Sequence, residues 1–128
     1  MKLVAFVALG GALGAVARYG VGGWVHGVTG AGFPWGTFAV NVAGCFALGL
    51  VMPILQASIA APEARAFVAV GLLGGFTTFS TFSFEAVALV QDQQWARAAT
   101  YTFGSVGLGL AAVFAGFWLG TVLLQWRA

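Results

Sequence analysis

Four stretches of this chain are long and apolar enough to cross a bilayer, and little is left between them. They cover residues 3–25, 35–55, 66–90 and 98–124. The hydrocarbon core of a membrane takes about 20 consecutive apolar residues per helix. No water is present there to satisfy backbone N–H and C=O groups, so a spanning segment must bond them internally. Runs of this length predict helices. Of the 128 residues, 61% are hydrophobic and 6% are charged. Soluble domains carry about 25% charge, so this chain could not cover a wetted surface. The expectation is an all-α, multi-pass protein of the cell (inner) membrane, with residues 1–128 forming a single four-helix domain.

The connections fit that reading. "HGVTGAGFP" is rich in glycine and ends at Pro34, "QASIAAPEAR" contains Pro62, and "QDQQWAR" is polar. Trp24, Trp35, Trp95 and Trp126 fall near the expected ends, where indoles favour the membrane–water interface. No connection is long enough to fold into a catalytic domain. The only histidine, His26, lies in the Gly-rich connection and reads as an ordinary loop residue. With one cysteine and three acidic residues, the chain shows no spacing for a metal site or a nucleophile triad, and an enzyme is not expected. A net charge of +2 without a basic cluster gives no footprint for nucleic acid.

The few charges speak to orientation. Four spans put both termini on one side, with Lys2, Arg65 and Arg127; the other side receives Arg18 and Arg97. Positive residues normally decide which side faces the cytoplasm. A bias this weak either still orients every copy or lets the chain insert both ways, and a chain inserted both ways can pair with an inverted copy of itself.

Gly10 and Gly14, Gly71 and Gly75, and Gly116 and Gly120 are each spaced by four, a pattern that lets membrane helices approach closely. A Gly pair followed at once by polar residues is a different signal. In "GGFTTFSTFS", residues 74–83, five hydroxyls (Thr77, Thr78, Ser80, Thr81, Ser83) interleave with Phe76, Phe79 and Phe82. Gly74 and Gly75 are placed to break the third helix. Irregular backbone at membrane depth persists only where it is buried or lines a cavity, and its carbonyls are natural cation ligands. The hydroxyls either bond neighbouring helices or line a path. Phe79 and Phe82 share a helical face, as core packing or as ring edges offered to an anion. Asn41, the sole polar side chain of "FAVNVAGCFALGL", either bonds another helix or presents its amide donors to an anion. Arg18 either snorkels or sets a positive potential at a pore mouth. Glu85, two residues past the hydroxyl stretch, is a candidate partner for an arginine, with its role left open. Tyr101 and Ser105 share one face of the fourth span.

"GGALGAVARY", "WGTFAVNVAGCFALG" and "GLLGGFTTFSTFSFE" together resemble the Fluc fluoride-channel family, also called CrcB, and the likeness runs over essentially the whole chain. The resemblance implies a dual-topology protein with a broken third helix, assembled as an antiparallel homodimer. It implies two fluoride pathways, passive fluoride export and a structural sodium ion at the centre of the dimer interface. By motif, Gly74 and Thr77 match the positions whose carbonyls hold the sodium. Asn41, Phe79 and Phe82 match pathway positions, and Arg18 matches the basic residue of the vestibule. Ser80 and Thr81 fall within the same block. Tyr101 and Ser105 match the start of a polar track that departs from some relatives at Gly109 and Val113. The alternative is a small multidrug-type dual-topology exporter. It would need a membrane-embedded carboxylate in its first span, and residues 3–25 contain none. A non-transporting structural or holin-like protein would need no cluster of hydroxyls.

Overall fold

The structure, a computed structural model, describes residues 1–57 and 62–126. Arg127 and residues 58–61 of the second connection lie outside the described residues. Four helical stretches of membrane-crossing length and hydropathy are present: Lys2–Thr29, Trp35–Ala57, Pro62–Gln91 and Trp95–Gln125. Each is longer than its apolar run. Hydropathy fades before hydrogen bonding does, because the peptide groups at the ends still gain more from the helix than from a partly wetted interface.

Helix α1, Lys2–Thr29, continues through its glycines and stops at Gly30. There φ reaches 78°, and the Gly30 N–H bonds His26 O at 2.8 Å. This left-handed conformation is cheap for glycine and closes the helix. His26 is therefore on the last turn of α1 and not in a loop. Helix α2, Trp35–Ala57, begins after Pro34 and continues through the buried Pro53.

The third stretch is composite. A short α3, Pro62–Arg65, leads into a π-helical segment, Ala66–Leu73, and then α4, Gly74–Phe76. Thr77 and Thr78 are extended, with φ/ψ of −79°/157° and −150°/114°. Helical bonding resumes in α5, Phe79–Gln91, and the chain ends in α6, Trp95–Gln125.

The glycine spacings build two seams. Along the first, α1 lies against the π-helical segment and α4. A Cβ at Gly10 would fall on Phe67 O, and one at Gly14 on Leu72 O. In return, a Cβ at Gly71 would sit 2.9 Å from Val7 O, and one at Gly75 2.7 Å from Gly11 O. Along the second seam, α2 lies on α6, and added Cβ atoms at Gly116 and Gly120 would meet Phe46 O and Leu50 O. Backbones this close gain dispersion contacts that lipid tails cannot supply. At one end Phe82, Leu89, Ala98 and Tyr101 form a buried cluster flanked by Phe33 and Phe38. Two hydrogen bonds from Arg97, to Gly32 O and Gln94 Oε1, tie the first connection to the start of α6.

Candidate functional site

The third span opens where α2 offers it a replacement for its own hydrogen bonds. Asn41 faces Thr78, accepts its N–H on Oδ1 at 2.8 Å and donates from Nδ2 to its carbonyl at 3.0 Å. This reciprocal pattern fixes the orientation of the amide, since a flipped amide would set donor against donor. Thr78 in turn caps α5, with its Oγ1 accepting the Thr81 N–H at 3.2 Å and donating to Thr81 Oγ1 at 3.0 Å. A hydroxyl at this position satisfies one of the orphan donors of the helix start. Ser80 Oγ lies 3.3 Å from the same oxygen.

The local backbone accounting follows. In a continuous α-helix the Thr78 N–H would bond Gly74 O and the Thr81 N–H would bond Thr77 O. Here those two donors go to Asn41 Oδ1 and Thr78 Oγ1. The carbonyls of Gly74 and Thr77 are left without the N–H groups that would normally occupy them. Sequence reasoning assigned the interruption to the Gly74–Gly75 pair. Both residues are helical, and Gly74 has φ −65° and ψ −35°. The extended residues are two β-branched threonines, which tolerate that conformation well. Gly75 is needed instead for its approach to Gly11. At Gly74 a Cβ would meet only Ala69 O, at 3.7 Å.

Two clefts flank the interruption, and Thr78 borders both. The first, about 380 Å³, is walled by Asn41, Gly74, Thr77, Phe79, Phe82 and Ser105, with apolar residues around them. The rings of Phe79 and Phe82 are 5.6 Å apart and tilted by 45°. Phe82 is 8% exposed, whereas Phe79 is 78% exposed. Ser105 Oγ is buried in this wall with no hydrogen-bond partner. The second cleft, about 550 Å³, is bordered by Arg18, His26, Thr37, Thr81 and Glu85. Its two opposite charges come from α1 and α5. Ser80 and Tyr101 border neither cleft.

Glu85 has hydroxyl partners where sequence reasoning looked for an arginine. It accepts from Thr37 Oγ1 at 2.9 Å and from Tyr101 Oη at 2.7 Å. Tyr101 has no exposed surface and packs its ring 5.2 Å from Phe82 and 5.4 Å from Phe33. The carboxylate thus binds α2, α5 and α6 together. Thr37 escaped the sequence reading, and Thr78 entered it only as one of five hydroxyls, not as a cap or as the partner of Asn41. Both had a signal. Thr37 sits one turn before Asn41 on the same face of α2, and Thr78 precedes Thr81 by three, the spacing of an N-cap bond. Among the described residues no group of three or more His, Cys, Asp or Glu side chains could hold a metal. The oxygen-only, uncharged carbonyls of Gly74 and Thr77 suit a hard monovalent cation.

Four apolar spans, joined by a few hydrogen-bonded polar side chains between them, define a multi-pass membrane protein. Residues 5–117 match the family model described as "CrcB-like protein, Camphor Resistance (CrcB)". The chain belongs to the CrcB family. It is 52% identical over 118 residues to the "Fluoride-specific ion channel FluC" of one strain of Thermus thermophilus, covering 92% of this chain and 93% of that protein. The protein of the same name from a second strain of Thermus thermophilus is 49% identical, with 97% and 99% covered. That of Acidobacterium capsulatum is 46% identical, with 92% of each chain covered.

Proposed function

We propose that this chain is a fluoride-selective channel that lets fluoride leave the cell passively. The observation that carries the reading is the first cleft, whose wall brings together Asn41, Phe79, Phe82 and Ser105, with the Ser105 hydroxyl unpartnered. Fluoride is small and strongly hydrated. A path for it must replace water with donors while holding the ion weakly enough to release it. Hydroxyl and amide donors supply the first requirement. Ring edges, positive but uncharged, supply the second. Arg18, on the second cleft, draws anions toward the entrance. In this reading Ser105 lines the first cleft and Thr81 the second, while Ser80 and Tyr101 stand behind them, beside Thr78 and bonded to Glu85 respectively. The names of the relatives point the same way.

The working unit in this reading is an antiparallel homodimer with two pathways. The weak charge bias, the exposure of Phe79 and the open side of the first cleft support it, since a lone chain leaves that wall unfinished. The broken third helix belongs to the same reading. The freed carbonyls of Gly74 and Thr77 are the groups that would hold a central structural sodium ion. When bound, such an ion supplies a positive charge that fastens the two chains together. The test is efflux from liposomes carrying the purified protein, followed by fluoride and chloride electrodes in one preparation. Fluoride efflux with little chloride efflux is expected. Comparable chloride efflux, or no fluoride efflux from well-folded protein, overturns the proposal.

A further inference from the structure

We infer that Asn41 is a positioning residue that holds the third span open and so keeps the Gly74 and Thr77 carbonyls free to face a cation. The inference rests on the sodium reading above for its consequence, but its geometry stands independently.

Nothing else at the interruption does this job. Glycine does not, because Gly74 and Gly75 keep helical backbone. Proline does not, because none lies between residues 63 and 128. Left alone, the Thr78 N–H would return to Gly74 O, four residues back, and the helix would close across Thr77 and Thr78. Asn41 prevents closure by offering one acceptor and one donor on the same edge of its amide, as the C=O and N–H of one residue in a neighbouring antiparallel strand would. Once Thr78 is held extended, its own hydroxyl is placed to take the Thr81 N–H, which frees Thr77 O in turn. One side chain on α2 therefore releases two carbonyls on the third span, one directly and one through Thr78. Asn41 also borders the first cleft, so the same residue lines the proposed anion path while shaping the cation site.

The sequence supplies a clean probe. Thr77–Thr78 is the only Thr–Thr pair in the chain. Protein labelled with carbonyl-¹³C and ¹⁵N threonine should thus give a single correlation joining the Thr77 carbonyl to the Thr78 amide. In the wild type this peak should show extended shifts and should move as sodium is titrated in. Asn41→Leu should bring it to helical shifts and raise the sodium midpoint roughly tenfold, since the cation must now break a restored hydrogen bond. Asn41→Asp keeps the acceptor for the Thr78 N–H. It should hold the extended shifts and a wild-type or lower sodium midpoint while losing fluoride efflux through charge repulsion. A role as anion donor alone predicts that both variants lose efflux and that neither moves the peak. Extended shifts with an unchanged midpoint in Asn41→Leu would overturn the inference. If Asn41→Leu moves the peak while the wild type ignores sodium, Asn41 still holds the helix open and the sodium reading falls.

Discussion

Tyr101→Phe removes one oxygen from a residue with no exposed surface and leaves its ring contacts with Phe82 and Phe33 in place. No cavity of consequence forms, so the change isolates the 2.7 Å bond to Glu85 Oε2. Its length suits a charge-assisted bond. Hydrogen bonds to charged groups contribute about 1.5–3 kcal/mol, whereas ordinary bonds between membrane helices average about 0.6 kcal/mol. Those two figures separate a bond to the Glu85 side chain from an ordinary interhelical one. With a carboxylate at 85, Tyr101→Phe should cost about 1.5–3 kcal/mol. In a Glu85→Gln background the same substitution should cost only about 0.6 kcal/mol. The coupling between the two sites should then be about 1 kcal/mol or more. Reversible denaturation in detergent, run on the wild type, both single variants and the double variant, measures it. Equal costs in the two backgrounds would refute the claim that this hydroxyl serves Glu85.

Three further outcomes are expected. Phe82→Ile, at a buried ring, should destabilise by about 1–2 kcal/mol, while Phe79→Ile should stay within about 0.5 kcal/mol of the wild type; both should lose fluoride efflux in the liposome assay, and retention by either removes that ring from the pathway. Thr78→Val suits the extended backbone but strips the cap from α5, so denaturation should show a loss of about 1 kcal/mol, with Thr78→Ser close to the wild type. Gly14→Ala drives a methyl group onto Leu72 O and should cost about 1–3 kcal/mol, whereas Gly20→Ala, with open space around it, should be neutral or slightly stabilising in the same measurement.

The four spans were legible because run length in a charge-poor chain admits few other readings. Their ends were not, because hydropathy reports where side chains prefer lipid and not where N–H groups stop finding carbonyls; α1 runs on to Thr29 for that reason. The three glycine pairs spaced by four do lie at seams, but Gly49, facing Val113 O, and Gly36, facing Gly22 O, belong to no such pair and were not legible. Nor was the agent of the interruption. Gly74 and Gly75 are conspicuous in the sequence, but the residue that diverts the Thr78 N–H is Asn41, which lies 37 positions earlier. Glu85 shows the same limit. Its donors sit 48 and 16 positions away on other helices, and one sequence carries no record of such pairings.

The Asn41–Thr78 pair carries a genetic consequence. It needs a planar group with one donor and one acceptor on the same edge, on a stem as short as that of asparagine. The codons one nucleotide from asparagine encode Asp, His, Ile, Lys, Ser, Thr and Tyr, and none of these carries an amide. Glutamine is two changes away and a methylene longer. No single point mutation keeps both bonds, so a lineage at this position has no graded route away from asparagine. Change there should come only together with a rebuilt third span.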